Sequence, residues 1–219
     1  MVSSSQHGMS SQEGKRKRMP RAEREQQMIA VAVEVFAEHG FLAASMDDIA
    51  ARVGVSKPML YEYFDSKEGL LVAALRHART ELHRTVEQAL ADASSAEDAL
   101  RQGLLAYFTF MAQRRQAWSL LRQELGALGP AAAEEVETIR RQQTQLHMRY
   151  LRHYAPYTTE DEIEVAAEII VGGCERLAAW CDRHHGVSPE RATQYAWNVI
   201  WGGLSALGAG DTDSDGDRA

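Results

Sequence analysis

The stretch Ser45–Leu71 constrains this chain more than any other. Ser45 precedes an inward-facing set of Ile49, Ala50 and Val53, and Gly54 follows it. A serine oxygen at an N-cap accepts from a helical N–H that has no other partner. Asp48 lies at the capping-box spacing from Ser45, in place of the usual glutamate. Asp47 and Asp48 also suit the positive end of a helix. Gly54 permits a sharp turn. Val55 plugs the angle, Ser56 caps a second helix, and Pro58 sits in its first turn, where a missing N–H costs little. Leu60 and Phe64 bury the inner face of that helix and leave Lys57, Met59, Tyr61, Glu62 and Tyr63 outward. Two short helices meeting at a glycine turn have the layout of a helix-turn-helix. A major groove accepts a helix, and such side chains can meet base edges, thymine methyls and phosphates. The bland alternative is a helical hairpin with aromatic surface residues. Asp65, with Glu68 at capping-box spacing, is expected to cap the next helix. Lys67 in its first turn would join the free N–H groups in a phosphate grip.

Upstream, Ile29, Val33 and Phe36 form a helical stripe over Arg21–His39, with Gly40 as terminator and Phe41 folding back on the helix end. The net charge of −7 argues against nucleic acid only until it is divided. Residues 1–70 hold nine Lys or Arg against ten acids, and the remainder fifteen against twenty-one. The basic residues of the first part are clustered, with Lys15, Arg16, Lys17, Arg18, Arg21 and Arg24 close together. A local cationic patch matters more for phosphate binding than the whole-chain sum. Residues 1–20 lack apolar periodicity and read as a disordered basic tail, either a solvated segment or an arm that reaches DNA.

The head resembles the TetR family of bacterial transcriptional regulators. The resemblance is carried by Phe36-Ala37-Glu38-His39-Gly40-Phe41, Ser45-Met46-Asp47-Asp48-Ile49-Ala50, Val53-Gly54-Val55-Ser56-Lys57, and Leu60-Tyr61-Glu62-Tyr63-Phe64 with Ser66-Lys67-Glu68. It implies Lys57 and Met59 as groove readers, Tyr61 and Tyr63 as phosphate contacts, and Lys67 as a further phosphate contact. Ser45, Met46, Ser56 and Pro58, at the starts of the two helices, complete the DNA-facing set. The chain departs from the family at Pro58, where glycine or alanine is frequent, and at Glu62, which is expected on the outer edge of the face because it would repel phosphate.

The body reads as all-α. Five prolines interrupt none of the long periodic stretches. A helix from Lys67 to about Ala93, with Leu71, Leu75, Leu82, Val86 and Leu90, is shared by head and body and so acts as a lever. Ser95 with Asp98 starts the next, which carries Leu104, Phe108 and Met111. A short helix with Trp118, Leu121 and Leu125, then helices over about 130–154, 159–185 and 189–207, complete the expectation. The domains expected are a head at 21–68, a body at 69–208 and an acidic disordered tail at 209–219. An aromatic stripe is more often core than ligand box, but the resemblance implies a small-molecule cavity in the body. Its candidate walls are Tyr107, Phe108, Met111, Trp118, Arg122, His147 and Tyr150. Small residues and aromatics on the last two helices suit a bundle made by two subunits. The expected interface is Gly172, Gly173, Leu177, Trp197, Trp201 and Leu204, with an intramolecular core as the alternative.

These features point to a homodimeric transcriptional repressor, released from a palindromic operator by a small molecule and acting in the cytoplasm. No cofactor is called for, and no catalytic constellation is visible. Two alternatives stand beside it. One is a metal- or redox-responsive regulator using Cys174 and Cys181, with His185 nearby; the other is a DNA binder without effector. Seven positions apart on a helix the two cysteines stand roughly 10 Å apart, too far for a disulfide. No apolar run reaches the ~18 residues of a membrane span.

Overall fold

A computed structural model of the chain describes residues 19–114, 129–184 and 186–209. Among the described residues there are eight helices and no strand: α1 (Arg21–Ala43), α2 (Met46–Val53), α3 (Lys57–Phe64), α4 (Lys67–Ala91), α5 (Ala96–Gln113), α6 (Pro130–Tyr154), α7 (Glu160–Arg183) and α8 (Pro189–Ala209). The expected all-α fold, a helix-turn-helix head joined by a shared helix to a larger helical body, is what forms. The short helix expected around Trp118, Leu121 and Leu125 and both tails lie outside the described residues.

The head's core is built from the positions that the apolar pattern turns inward. Met28, Ile29, Ala32, Val35 and Phe36 of α1 meet Ile49, Ala50 and Val53 of α2 and Leu60 and Phe64 of α3. Gly40 breaks α1 with φ 78°, and the Phe36 and Phe41 rings then close to 5.7 Å. Gly54 ends α2 in the left-handed region at φ 79°. Two caps differ from expectation. Ser45 Oγ accepts from Asp47 N, whereas the Asp48 carboxylate accepts from Arg52, so the cap exists without the box. Asp65 ends α3 at φ 61°, and Ser66 is the cap of α4, accepting from Gly69 N at 2.9 Å. A serine next to an aspartate competes for the same capping role, and the α3–α4 corner is too tight for Asp65 to reach the helix it precedes.

That corner depends on Gly69. A Cβ there would stand 2.0 Å from the Phe64 carbonyl oxygen, a backbone atom that cannot step aside alone. The first turn of α4 therefore packs directly on the end of α3.

Helix α4 belongs to two cores. Leu70, Leu71, Val72, Ala74 and Leu75 join the head cluster, together with Ala132 of α6. Leu82, Val86 and Leu90 join a body cluster with Ala99, Phe110, Ile139 and Leu146. A third cluster unites α5, α7 and α8 through Leu104, Phe108, Ile170, Cys174 and Trp197. Ser95 Oγ caps α5 by accepting from Asp98 N, and Thr159 with Glu162 forms a full capping box at α7. Between α4 and α6, Glu135 is buried and ion-paired with Arg76 at 3.0 Å and Arg79 at 2.6 Å.

Gly69→Ala should destabilise the protein by about 1–3 kcal/mol, the usual cost of forcing a methyl into packed structure. Urea titration followed by circular dichroism measures it. An unchanged midpoint would mean that the corner opens freely.

Candidate functional site

The outer face of α3 is exposed. Lys57, Pro58, Met59, Tyr61 and Glu62 are exposed, whereas Leu60 and Phe64 are buried beneath them. Met59 and Tyr61 keep 38% and 40% of their surface, unusual for large apolar side chains with a core within reach. Tyr63 is half-buried, and the Arg21 guanidinium lies 4.5 Å over its ring. The face is not simply cationic. Lys57 Nζ donates to Asp47 Oδ2 at 2.8 Å, and the Asp47 hydrogen bond and charge raise the lysine's pKa. Arg52 is paired with Glu38 at 2.8 Å and Asp48 at 3.2 Å.

Lys67 is turned into the protein. Its Nζ donates to the backbone oxygens of Phe41 at 2.8 Å, Leu42 at 3.1 Å and Ala44 at 3.1 Å, and stands 4.8 Å from the centre of the Phe41 ring. An ammonium has three donors, and three carbonyls take them. Reaching a phosphate from this position would exchange these charge-assisted bonds for another of the same kind. Lys67 thus clamps the end of α1.

In the body, two neighbouring apolar cavities run between the helices. One, of about 110 Å³, lies among α4, α5, α6 and α7, walled by Leu82, Val86, Leu104, Tyr107 and Met111. The second, of about 190 Å³, continues toward Tyr150, Tyr154, Ile163 and Trp201. Leu90, Ala99, Leu100, His147 and Ile170 are walls of both. Polar groups on these walls are few. Arg140 Nε donates to both oxygens of Glu175, at 3.1 and 3.0 Å. Burial pushes the Arg140 pKa down, but Glu175 and Glu137 outweigh it and the net shift is upward. His147 Nδ1 is 2.8 Å from the Gln143 backbone oxygen, and burial holds its pKa below the ordinary histidine value.

Sequence profiles of known families match both parts of the chain. Residues 28–74 match the bacterial regulatory proteins of the tetR family, and residues 96–203 match the tetracyclin repressor-like C-terminal domain. The chain belongs to the TetR family. It is a helix-turn-helix transcriptional regulator of that family, a family of regulators rather than enzymes. It is 29% identical to the transcriptional activator FasR of Mycolicibacterium smegmatis over 188 residues, 86% of each protein. A TetR-like regulator from Rhodococcus sp. RHA1 superposes with TM-score 0.65 at 29% identity, over 86% of this chain and 99% of that one. FadR of Bacillus subtilis, solved in complex with stearoyl-CoA, shares the fold at TM-score 0.69 and 18% identity, over 80% of this chain and 96% of that one.

As a TetR-family regulator the chain departs from several expectations. Met46 is 5% exposed, a core residue of the head rather than a DNA-facing one. Its helix starts with the side chain rotated inward, a register that the N-cap alone does not reveal. Ser56 stands at the α3 N-cap without a side-chain cap bond. Tyr107, Met111, His147 and Tyr150 line the cavities, but Phe108 packs instead in the α5–α7–α8 core. Trp118 and Arg122 lie outside the described residues. Gln143, Arg140 and Glu175 are wall residues that the sequence did not single out, because they sit on helices whose charged surface reads as solvated.

The expected dimer face also splits. Trp197 is buried within its own chain, stacked on Trp201 at 5.0 Å with Arg101 over its ring. Leu177, Trp201 and Leu204 pack on the same internal cluster. Gly172 and Gly173 are exposed with open space beyond them. Also exposed on α7 are Val165 at 57% and Ile169 at 62%, with Tyr195 at 38% and Val199 at 78% on α8.

Cys174 and Cys181 are buried and form no disulfide. Burial pushes the Cys174 thiol up to about 12, so the reactive thiolate is scarce. Among the described residues no group of three metal-ligating side chains converges, and His185 lies outside them. No described helix is long and apolar enough to cross a membrane.

Two outcomes are expected. Lys67→Met should cost about 1–2 kcal/mol of stability, since α1 loses the partner of its last carbonyls in a partly screened site; thermal melts measure it, and an unchanged melting point would sink the clamp. His147 stays neutral in the fold more readily than in the unfolded chain. Stability should therefore be full above the ordinary histidine value of 6.5 and fall as pH drops below it. In His147→Gln that decline should shrink.

Proposed function

We propose that this regulator is a homodimer that represses from a palindromic operator and is released when an elongated apolar molecule fills the body cavities. One observation carries the reading. Helix α4 is continuous, and its first half builds the head's core while its second half walls the cavity. Tilting α4 from the cavity end moves the head. Two heads must meet major grooves about 34–36 Å apart, so a change in their separation lowers affinity. A ligand shifts the dimer only as far as it prefers one spacing over the other.

In this reading α3 lies in the major groove. Lys57 and Met59 face bases, Tyr61 and Tyr63 face phosphates, and the exposed Ser45, Ser56 and Pro58 border the contact. DNA has to draw Lys57 away from Asp47. The two subunits join through Val165, Ile169, Gly172 and Gly173 of α7 and Tyr195, Val199, Gly202 and Gly203 of α8. An exposed apolar strip of this kind marks an interaction surface, and glycines let helices approach closely. The apolar walls favour a hydrocarbon chain as ligand, in keeping with the acyl-CoA bound by Bacillus subtilis FadR. The site of action is the cytoplasm.

Fluorescence anisotropy with the protein's own upstream DNA against random DNA tests the reading. Equal affinities would remove the operator. Asp47→Asn should tighten binding roughly twofold to fivefold, the scale of one exposed ion pair. Val165→Glu with Ile169→Glu should give monomers in sedimentation and weaken operator binding by about a hundredfold or more, the loss of two-site binding. A dimer of unchanged affinity would place the interface elsewhere.

A second reading, activation, is favoured by the likeness to FasR, an activator, over 86% of both chains. In vitro transcription from the upstream promoter separates them: repression lowers the transcript when protein is added, activation raises it.

A further inference from the structure

Among the described residues that line these two cavities, one fully buried side-chain group, an amide, has no hydrogen-bond partner. Gln143 is 4% exposed, its Nε2 has no hydrogen-bond partner, and it lines the cavity among α4, α5, α6 and α7. A buried donor left unpaired costs roughly 1–3 kcal/mol, and native proteins keep few of them. Nothing in the packing of α6 requires an amide here, since an aliphatic side chain of the same size would fill the space without that cost.

His147 lies one helical turn further along the same face. Its Nδ1 is 2.8 Å from the Gln143 backbone oxygen. A carbonyl only accepts, so Nδ1 carries the hydrogen. In the neutral ring Nε2 is then an acceptor. Burial favours that neutral form. Both residues line the same cavity, Gln143 with an unpaired donor and His147 with an acceptor nitrogen.

The remaining polar wall groups decide the charge of what fits. Among the described lining residues the charged ones are Arg140 and Glu175, and they hold each other through both carboxylate oxygens. An anion would have to displace Glu175 and a cation Arg140, each leaving a partly buried partner unpaired. The pair is 43% and 34% exposed, so breaking it costs little by itself. What rejects a charge here is its removal from water among apolar walls, which costs far more than a neutral hydrogen bond returns. Position matters as well. His147 is a wall of both cavities and Gln143 of the first alone, so the polar pair stands where the two meet, with apolar wall on either side.

We propose that Gln143 and His147 form a subsite for a single uncharged hydroxyl borne within the chain of an otherwise apolar ligand, the hydroxyl oxygen accepting from Gln143 Nε2 and its hydrogen donated to His147 Nε2. This rests on the reading of the cavities as the effector site. It adds that the ligand is a hydroxylated chain rather than a plain hydrocarbon, and that the cavity rejects a charge at that point.

Five probes of one shape test it by calorimetry on the full chain: undecane, dipentyl ketone, dipentyl carbinol, dipentylamine and dipentylacetic acid. They place nothing, an acceptor, a hydroxyl, a cation and an anion at the centre of similar chains. The carbinol should bind tightest, about threefold to tenfold above the ketone, the scale of one net hydrogen bond. The amine and the acid should bind more weakly than undecane. In Gln143→Met, close in volume, the carbinol should lose its advantage while undecane binds as before. Nitrogen NMR of the His147 ring gives a reading that needs no variant: hydrogen on Nδ1, bare Nε2, and a shift of Nε2 when the carbinol is added. Equal binding of carbinol, ketone and undecane would overturn the subsite and leave the cavity reading standing. Tightest binding by the acid or the amine would overturn the uncharged ligand, and hydrogen on Nε2 would overturn the donor–acceptor pair. If no probe binds, undecane included, the cavity reading fails and the subsite with it.

Discussion

The grip of one ammonium on three carbonyls holds the head together. The end of α1 leaves carbonyl oxygens that no helical N–H can reach. Lys67, at the start of α4, supplies all three of its donors to Phe41, Leu42 and Ala44. Close by, Asp65 turns the chain with positive φ and Gly69 lets the α4 backbone lie on the α3 carbonyl. These contacts fix the angle of α3 against α4. Glu68, next to Lys67, sets its carboxylate against Gly129 at the start of α6, with Oε1 buried and without a hydrogen-bond partner. Adjacent residues of opposite sign thus meet helix ends of opposite polarity, the lysine a negative end and the glutamate a positive one. The start of α4 is a joint tied on one side to the head and on the other to the body.

The electrostatics of the α3 face follow from the same economy. Among the described residues of the head, Arg52, Lys57 and Lys67 are each engaged with acids or carbonyls. At these three positions a polyanion would gain contacts by exchange of partners. In the proposed complex Asp47 would set the threshold for recruiting Lys57, and because the pair is exposed, salt would weaken both sides of the exchange.

Much of this was legible in the sequence, and for a consistent reason. Ile49, Leu60, Phe64 and Gly54 are read correctly because local rules, helical spacing and the glycine turn, decide them. The side chains of Met46 and Lys67 are placed by neighbours distant in sequence, which local rules do not see. Met46 is pulled into the head's core, and Lys67 reaches carbonyls twenty-three to twenty-six residues earlier. Trp197 looks like an interface residue by type, yet its own chain covers it with Trp201 and Arg101. Gln143 carries no signal at all: a glutamine on a polar-looking helix gains meaning only when the fold leaves its amide unmatched.

The two-core character of α4 has a consequence for how such proteins diversify. Leu70, Leu71, Val72, Ala74 and Leu75 seal the head, and so does Ala132 from α6, far along the chain. The head is therefore not a cassette that can be exchanged at the start of α4. A chimaera joined there would seat a foreign α1–α3 on a native α4 and Ala132, with mismatched volumes across the seam. A graft placed after Leu75, with Ala132 adjusted to the new head, keeps each packed surface with the residues that shaped it. Lineages that acquire new operators while keeping one body face the same arithmetic, and would alter the outward face of α3 before anything beneath it.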